Sequence, residues 1–400
     1  MNRLFYLGFV LLVMGCNKTQ NPVEFQLTDL IADTLFLEKD TLTKYLGVNF
    51  THFQTDSGEV LMTFNQHRLL TYSYPEGKIL KSVKFELEGP DGIGGFIPGT
   101  FIDQDKIYIL SQDQKLLEAD FEGKILRRIP LPEVPTQRLA SNYSTLPFNP
   151  MFRSDKGLFI PDIPFVLTES LLTYKNWILD FSLSDSTFTY VSFTFPPSAK
   201  NFLDDSELGQ YFHHFDPAEN AHWISFSSSD SVLKIKADQS EWILADSEEL
   251  LQFLRGTTSE QGEWTAFHPN PESSKYTSIQ QDPESGLLFR HVRIQLGNPD
   301  QNIRSKHAFI LFNRNGEKIA EVKFTDWEFG SLVFQTPYRH LYPHCRPAVG
   351  RSGTLCPTRF LQNPAIKKAR LTQSRFLLVV RFPHQIHPGI CIPSRVEKNL

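Results

Sequence analysis

The chain has 400 residues, 40% hydrophobic, 13% aromatic and 21% charged, with a formal net charge of −5. That balance supports a packed globular protein, and the mild negative charge leaves no basic footprint for nucleic acid. Phe is unusually frequent at 34 residues, and 26 Pro and 22 Gly punctuate short segments, so a mostly β chain is expected.

Asn2 and Arg3 give a short polar, positive start, and residues 4–14 form an uninterrupted apolar run. The run is shorter than the roughly 20 residues of a permanent membrane helix and has the length of a signal-peptide core. Val13-Met14-Gly15-Cys16 resembles the lipobox of bacterial lipoproteins, although Leu is usual at the first position and Ala or Ser at the second. The resemblance implies a signal peptide at 1–15, cleavage before Cys16 and lipid on that cysteine. Two or three acyl chains would hold the protein stably at a membrane, where one alone is marginal. Residues 16–22 then read as a polar tether. Asn17 stands where Asp often retains such proteins at the inner membrane, which favours the outer membrane. No acidic run follows, so a periplasmic facing is at least as well supported as surface exposure.

Residues 23–338 read as the propeller domain, and between about residues 45 and 335 one pattern recurs: an apolar strand, a turn, a second strand, an Asp/Asn/Glu-Gly type turn and a third strand. The first copy runs through 58–64, 68–74, Glu76-Gly77 and 79–85; the second through 106–110, 115–121, Glu122-Gly123 and 125–129. Gly77 and Gly123 are 46 positions apart, a period suited to β-propeller blades. Looser copies follow at 157–193, 221–244 and 286–324. Residues 23–27 or 34–37 are candidates for the strand that closes the ring. Two insertions break the rhythm. Residues 130–164 are Pro-rich and read as an irregular connection. Residues 247–255 have apolar positions at helical spacing with Ser247 as N-cap, which predicts a helix.

Five copies, the lipobox start and the segment Glu88-Gly89-Pro90-Asp91-Gly92-Ile93-Gly94-Gly95-Phe96 together resemble the six-bladed β-propeller lipoproteins of Bacteroidota, a family of unknown function. The resemblance covers roughly residues 1–338 and implies an all-β propeller, six-bladed with an incomplete or disrupted last blade. Its motifs are structural and assign no catalytic residue.

The stretch 339–400 differs in character. It holds Cys345, Cys356 and Cys391, and eleven Lys plus Arg against one acidic residue, Glu397. It begins where a sixth blade should start, at residues 330–334, and keeps no blade rhythm. Two readings remain open: a shifted reading frame, or a genuine basic extension. His340, His344, Cys345, Cys356, His384, His387 and Cys391 have no Cys-x-x-Cys spacing, so no metal and no cofactor is expected.

His213-His214-Phe215-Asp216 is the main candidate binding cluster. On a strand, His214 and Asp216 share one face and His213 takes the other. Asp204, Asp205 and Glu207 lie just upstream. The glycine-rich residues 89–95 lack the following helix of a phosphate-cradling loop and read as turns. Asp33-Thr34-Leu35, Asp40-Thr41-Leu42, Asp185-Ser186-Thr187 and Asp230-Ser231-Val232 resemble the short O-glycosylation motif of Bacteroidota, weak support for export. The leading functional expectation is a non-catalytic binding or scaffold lipoprotein, anchored through lipid on Cys16 and facing an envelope protein or glycan. The alternatives are a polysaccharide-active propeller enzyme, a glycoside hydrolase or lyase with facing carboxylates, and a periplasmic sensor with an apolar pocket.

Overall fold

The computed structural model describes residues 25–26, 31–43, 49–134, 143–145, 148–164, 166–237, 239–261, 264–282, 285–296 and 305–325, together with the strand segments 334–336, 339–342, 356–362, 376–380 and 391–393. Cys16, with the expected signal peptide at 1–15 and tether at 16–22, lies outside these residues.

Antiparallel four-stranded units succeed one another along the chain as five propeller blades. Blade 1 comprises Thr51–Thr55, Gly58–Asn65, Arg68–Ser73 and Ile79–Lys84. Blade 2 comprises Gly99–Ile102, Ile107–Leu110, Lys115–Ala119 and Ile125–Pro130. Blade 3 comprises Phe152–Arg153, Gly157–Pro161, Ile178–Ser182 and Phe188–Val191. Blade 4 comprises Tyr211–Asp216, Ala221–Phe226, Ser231–Lys236 and Gln239–Leu244. Blade 5 comprises Lys275–Gln281, Leu288–Gln295, Lys306–Phe312 and Lys318–Thr325.

Within a blade the first strand is innermost; those of blades 4 and 5 touch each other. The three-strand repeat of the sequence corresponds to strands two to four. Second strands such as Ile107–Leu110 and Ala221–Phe226 are buried at every position, because a neighbouring blade covers each face. Fourth strands such as Gln239–Leu244 are mostly exposed at the rim. The hydrophobic core is therefore divided into layers between blades: Ile107, Ile109 and Leu117 pack between blades 1 and 2, Leu158, Leu179 and Phe181 against blade 2, Trp177, Phe193 and Tyr211 between blades 3 and 4, and Phe212, Trp223 and Ile310 between blades 4 and 5.

A sixth sheet departs from this plan. Its order is Ile31–Leu37, Cys356–Gln362, Phe376–Val380, Arg339–Tyr342, Phe334–Thr336, and Arg339–Tyr342 pairs with Phe376–Val380 in parallel. The inner strand Phe334–Thr336 lies against Thr51–Thr55, which brings the ring back to blade 1. This is the disrupted last blade. Ile31–Leu37 forms its outer edge, and Phe25–Gln26 instead adds a parallel strand to blade 5.

Turns between third and fourth strands are fixed by the adjoining blade. Gly77 has φ +70°, and a β-carbon there would fall 1.9 Å from the Phe36 carbonyl oxygen of the sixth sheet. Gly316 has φ +83°, and its β-carbon would lie 2.3 Å from Ile243 Cγ2 of blade 4. Only glycine meets both demands.

The helix expected over residues 247–255 is absent; the segment has no regular secondary structure and bends at residues 248–249. Backbone hydrogen-bonding groups that would close a helical turn are engaged by Ser273 and Ser274, which lead into blade 5. Gln252 N donates to Ser274 Oγ at 3.0 Å, Leu254 N to Ser273 Oγ at 3.0 Å, and Ser274 N to Gln252 O at 2.7 Å. Leu251 and Phe253 pack inward at a spacing of two while Leu250 is exposed. Tertiary partners thus override the local propensity. The Ser247 hydroxyl does not cap a helix but donates to Glu321 Oε1 at 2.6 Å. Residues 89–95 form turns, as expected, strapped to blade 2 by Arg128 Nη2 donating to Pro90 O and Gly92 O and by Ile125 N donating to Asp91 Oδ1.

Candidate functional site

Tyr211–Asp216, the inner strand of blade 4, brings the candidate cluster to two different interfaces. Its free edge is occupied from the irregular connection before blade 3. The buried Asn149 donates through Nδ2 to Tyr211 O at 2.6 Å, and its Oδ1 accepts from His213 N at 2.6 Å. A single side chain here replaces a neighbouring strand and satisfies two backbone groups that would otherwise be costly to bury.

His213 turns towards blade 3. Its Nε2 lies 2.9 Å from His222 Nδ1, and the pair is enclosed by Phe152, Phe159 and Phe215. Burial lowers the His213 pKa well below the ordinary value, helped by the neighbouring His222 and His214. Burial likewise lowers His222 to about 4. Both imidazoles are neutral at physiological pH and act as packing and hydrogen-bonding groups rather than as proton carriers.

His214 and Asp216 take the opposite face, towards blade 5. Asp216 Oδ2 accepts from Arg314 Nε at 2.7 Å and from Gln281 Nε2 at 2.9 Å, while Oδ1 accepts from Arg314 Nη2 at 3.2 Å and Ala218 N at 3.0 Å. Burial pushes this carboxyl up, but the bonds from Gln281 and Arg314 outweigh it and hold it below the usual range. His214 is lowered to about 4, because burial exceeds the opposing effects of Asp216 and Gln281. The structure therefore joins His214 to Asp216 through a shared face and directs His213 elsewhere.

Asp205 and Glu207 do not join that cluster. Asp205 Oδ1 accepts Glu207 N and Leu208 N, at 2.9 and 2.8 Å. Glu207 forms a bidentate pair with Arg293, at 2.6 and 3.2 Å, with Lys275 Nζ 3.6 Å away. Lys275 opens the inner strand of blade 5 whereas Gln281, which serves Asp216, closes it. The two charge groups thus sit at opposite ends of the same strand.

Two further features carry no obvious sequence motif. Arg290 is fully buried in the second strand of blade 5. Its guanidinium donates to Ser225 Oγ (2.9 Å) and to the carbonyls of Asp230 (3.0 Å), Ala245 (2.8 Å) and Ser229 (2.5 Å), and it stacks 3.3 Å from the Tyr276 ring centroid. Burial lowers its pKa to about 10, so it remains charged. A second imidazole pair joins His291 Nε2 to His307 Nδ1 at 3.1 Å, stacked with Phe324. An arginine inside the apolar run Leu288-Phe289-Arg290-His291-Val292 was the one available signal.

Among the described residues, no group of three or more His, Cys, Asp or Glu could hold a metal ion. Of the tail candidates, Cys356 lies in the sixth sheet opposite Leu37, His340 in that same sheet opposite Gln335, and Cys391 in another sheet opposite Ala266. His344, Cys345, His384 and His387 lie outside the described residues.

A family model described as a domain of unknown function, DUF4221, matches residues 22–335. The chain belongs to the DUF4221 family. Among solved structures, a DUF4221 member from Bacteroides vulgatus matches with a TM-score of 0.60 at 14% identity, over 87% of this chain and 98% of its own. A Bacteroides fragilis protein described as exported matches at 0.46 and 11% identity, over 90% and 99%, and Kluyveromyces lactis Hsv2 at 0.36 and 9%, over 84% and 97%. At these identities the DUF4221 likeness is one of fold. No curated protein matches the chain. The DUF4221 match stops at residue 335, so the strands from 339 onwards lie beyond it. Among the described residues, no helix is long and apolar enough to cross a membrane.

Proposed function

We propose that this DUF4221 protein is a lipid-anchored cell-envelope protein whose propeller serves as a binding or scaffold module rather than as a catalyst. Anchoring through Cys16 at the outer membrane rests on the lipobox resemblance and on Asn17 after it. The observation that carries the non-catalytic reading is the use made of the buried ionisable groups. Asp216 is bound to Arg314 and Gln281, Glu207 to Arg293 and Lys275, Glu118 to Lys106 at 2.7 Å, and Glu321 to Lys318 at 2.7 Å. A general acid or nucleophile needs a carboxyl tuned for proton transfer or attack. These carboxylates instead hold the fold together. Asp216 and Glu207 join blade 4 and the turn before it to blade 5, Glu118 joins the second and third strands of blade 2, and Glu321, paired with Lys318 on its own strand, also accepts from Ser247 Oγ and Glu248 N. The propeller then offers its loops and rim to a partner in the envelope, a protein or a glycan.

The test is expression of the full chain and its Cys16→Ser variant in a Bacteroides host. The parent should fractionate with outer membranes and carry acyl mass on its mature N-terminus, and the variant should move to the soluble fraction. Incubation of the purified protein with envelope polysaccharides should release no reducing ends or unsaturated sugars. Release of either would overturn the non-catalytic reading in favour of a glycoside hydrolase or lyase.

A further inference from the structure

We infer that the propeller face carrying the turns between third and fourth strands docks on an anionic lipid bilayer, an inference that rests in part on the anchoring proposed above. The observation behind it is a bulge repeated at one position of the blade. In blade 1, Ile79 pairs with Tyr72 and Lys81 with Thr71, so Leu80 is an extra residue without a partner across the ladder. Blade 2 repeats this at Leu126, between Ile125 opposite Ala119 and Arg127 opposite Glu118. Blade 5 repeats it at Ile319, between Lys318 opposite Phe312 and Ala320 opposite Leu311. Each is the second residue of its fourth strand, and the side chains are exposed by 58%, 45% and 38%. Blade 3 keeps its register but opens the fourth strand with the exposed Phe188. Of the five blades only blade 4 departs, with Ser240 in register opposite Ile235. A bulge re-aims a side chain, and the extra position can be filled by any residue. The backbone therefore does not demand Leu, Leu and Ile at sites turned towards water.

Four antiparallel strands per blade put these turns on one face and the blade-to-blade connections on the other. Equivalent positions around a ring lie in one plane, so Leu80, Leu126, Phe188 and Ile319 can meet one flat surface together. Charge distinguishes the two faces. Residues 76–81 and 120–128 hold five Lys and Arg against three acids, whereas the connection 85–98 on the opposite face holds Glu86, Glu88 and Asp91 and no cation. Lys78 and Lys124, each two residues before a bulge, are exposed and have no carboxylate partner among the described residues. Apolar side chains entering the headgroup boundary, with lysines beside them, are the chemistry of interfacial binding to anionic lipid.

The strand Phe25–Gln26 gives an independent argument. It runs parallel to Lys318–Thr325 with Phe25 opposite Val322, so its N-terminal end points towards Ile319 and the turn face. Cys16 stands nine positions earlier, no more than about 30 Å of fully extended chain. Lipid on Cys16 thus keeps within reach of the bilayer the same face on which the bulged residues are displayed.

The test places the full chain, purified from the envelope of a Bacteroides host, on vesicles of phosphatidylglycerol and phosphatidylcholine brominated near the headgroup. Leu80→Trp and Leu126→Trp are compared with Leu250→Trp. Leu250 lies in the connection from blade 4 to blade 5, on the opposite face, and is 88% exposed. Bromine quenches an indole only where it meets the lipid. The fluorescence added at positions 80 and 126 should be lost on brominated vesicles, and that added at position 250 should be kept. Quenching at 250 but not at 80 and 126, or at none of the three while the chain stays on the vesicles, would overturn this inference and leave the anchoring intact. Chain without lipid on Cys16 that still binds, with positions 80 and 126 quenched, would overturn the anchoring alone. Chain without that lipid which remains in solution would overturn both.

Discussion

Towards blade 3, blade 4 presents Tyr211, His213 and Phe215, and towards blade 5 it presents Phe212, His214 and Asp216. The first interface is built on aromatic rings. Trp177 is fully buried there, edge-on to Tyr174 at 4.7 Å and Phe195 at 5.3 Å, and Tyr211 points its hydroxyl at the carbonyls of Asp162 and Trp177. The second keeps an apolar centre but adds charge, with Arg290 threaded into the carbonyls of blade 4 and Asp216 held by Arg314. One six-residue strand therefore serves two chemistries by alternation alone. Ring packing tolerates change in charge but not in volume; the charged ties tolerate neither lost donors nor lost acceptors, since buried polar groups must stay paired.

Trp177→Ala should break this comparison most strongly. Emptying the centre of the aromatic layer should cost about 4 kcal/mol, read as a lower urea midpoint, and the loss should be the same in low and high salt. Arg290→Met preserves much of the volume but removes the donors to Ser225, Asp230, Ala245 and Ser229. We expect a loss of about 3 kcal/mol. A loss near zero would show that apolar packing alone holds blades 4 and 5 together.

The propeller and its rim were legible because strands two to four obey simple rules: buried apolar runs in the middle, and glycine turns such as Gly77 pressed against a neighbour. The inner strands escaped the repeat. Thr51–Thr55 and Lys275–Gln281 mix Thr, Ser, Gln and His with few apolar residues, and Phe152–Arg153 is only two residues long. Their edges are satisfied at long range, as Asn149 does for Tyr211 and His213, and no local pattern encodes such a partner. Residues 247–255 misled for the same reason, since Ser273 and Ser274, twenty residues away, decide their conformation. At the candidate site, alternation correctly separated His213 from His214 and Asp216. The partners Gln281 and Arg314, 65 and 98 residues distant in sequence, were not readable.

Acid should separate the two kinds of tie further. His222 has a folded pKa of about 4 against an unfolded value near 6.5, so the unfolded chain binds the proton first as pH falls. Its contribution is intact above pH 6.5 and is lost progressively down to about pH 4, amounting to roughly 2–3 kcal/mol. Asp216 has a lowered folded pKa, so its contribution is present above the ordinary carboxyl value of 3.8 and is lost only below it. The variant His222→Phe, placed between Phe159 and Phe215, should be less stable than the parent at pH 7 and lose less than the parent between pH 7 and 4.5. Parallel losses in urea unfolding would sink the assignment of that window to the buried imidazole.

Tyr276→Phe is the smallest and most selective change. The guanidinium of Arg290 lies against this ring, and the ring hydroxyl donates to Asp230 Oδ1 at 2.8 Å. The cation thus has two stabilising neighbours, the π face directly and the Asp230 carboxylate through the hydroxyl. Phe keeps the face and removes the link. If the ring and the carbonyl oxygens are what hold Arg290, only one hydrogen bond is lost and stability should fall by about 1 kcal/mol. A fall as large as that of Arg290→Met would mean that the carboxylate is the true counter-charge. The charged interface would then depend on the carboxylate of an acid whose backbone carbonyl alone bonds the arginine.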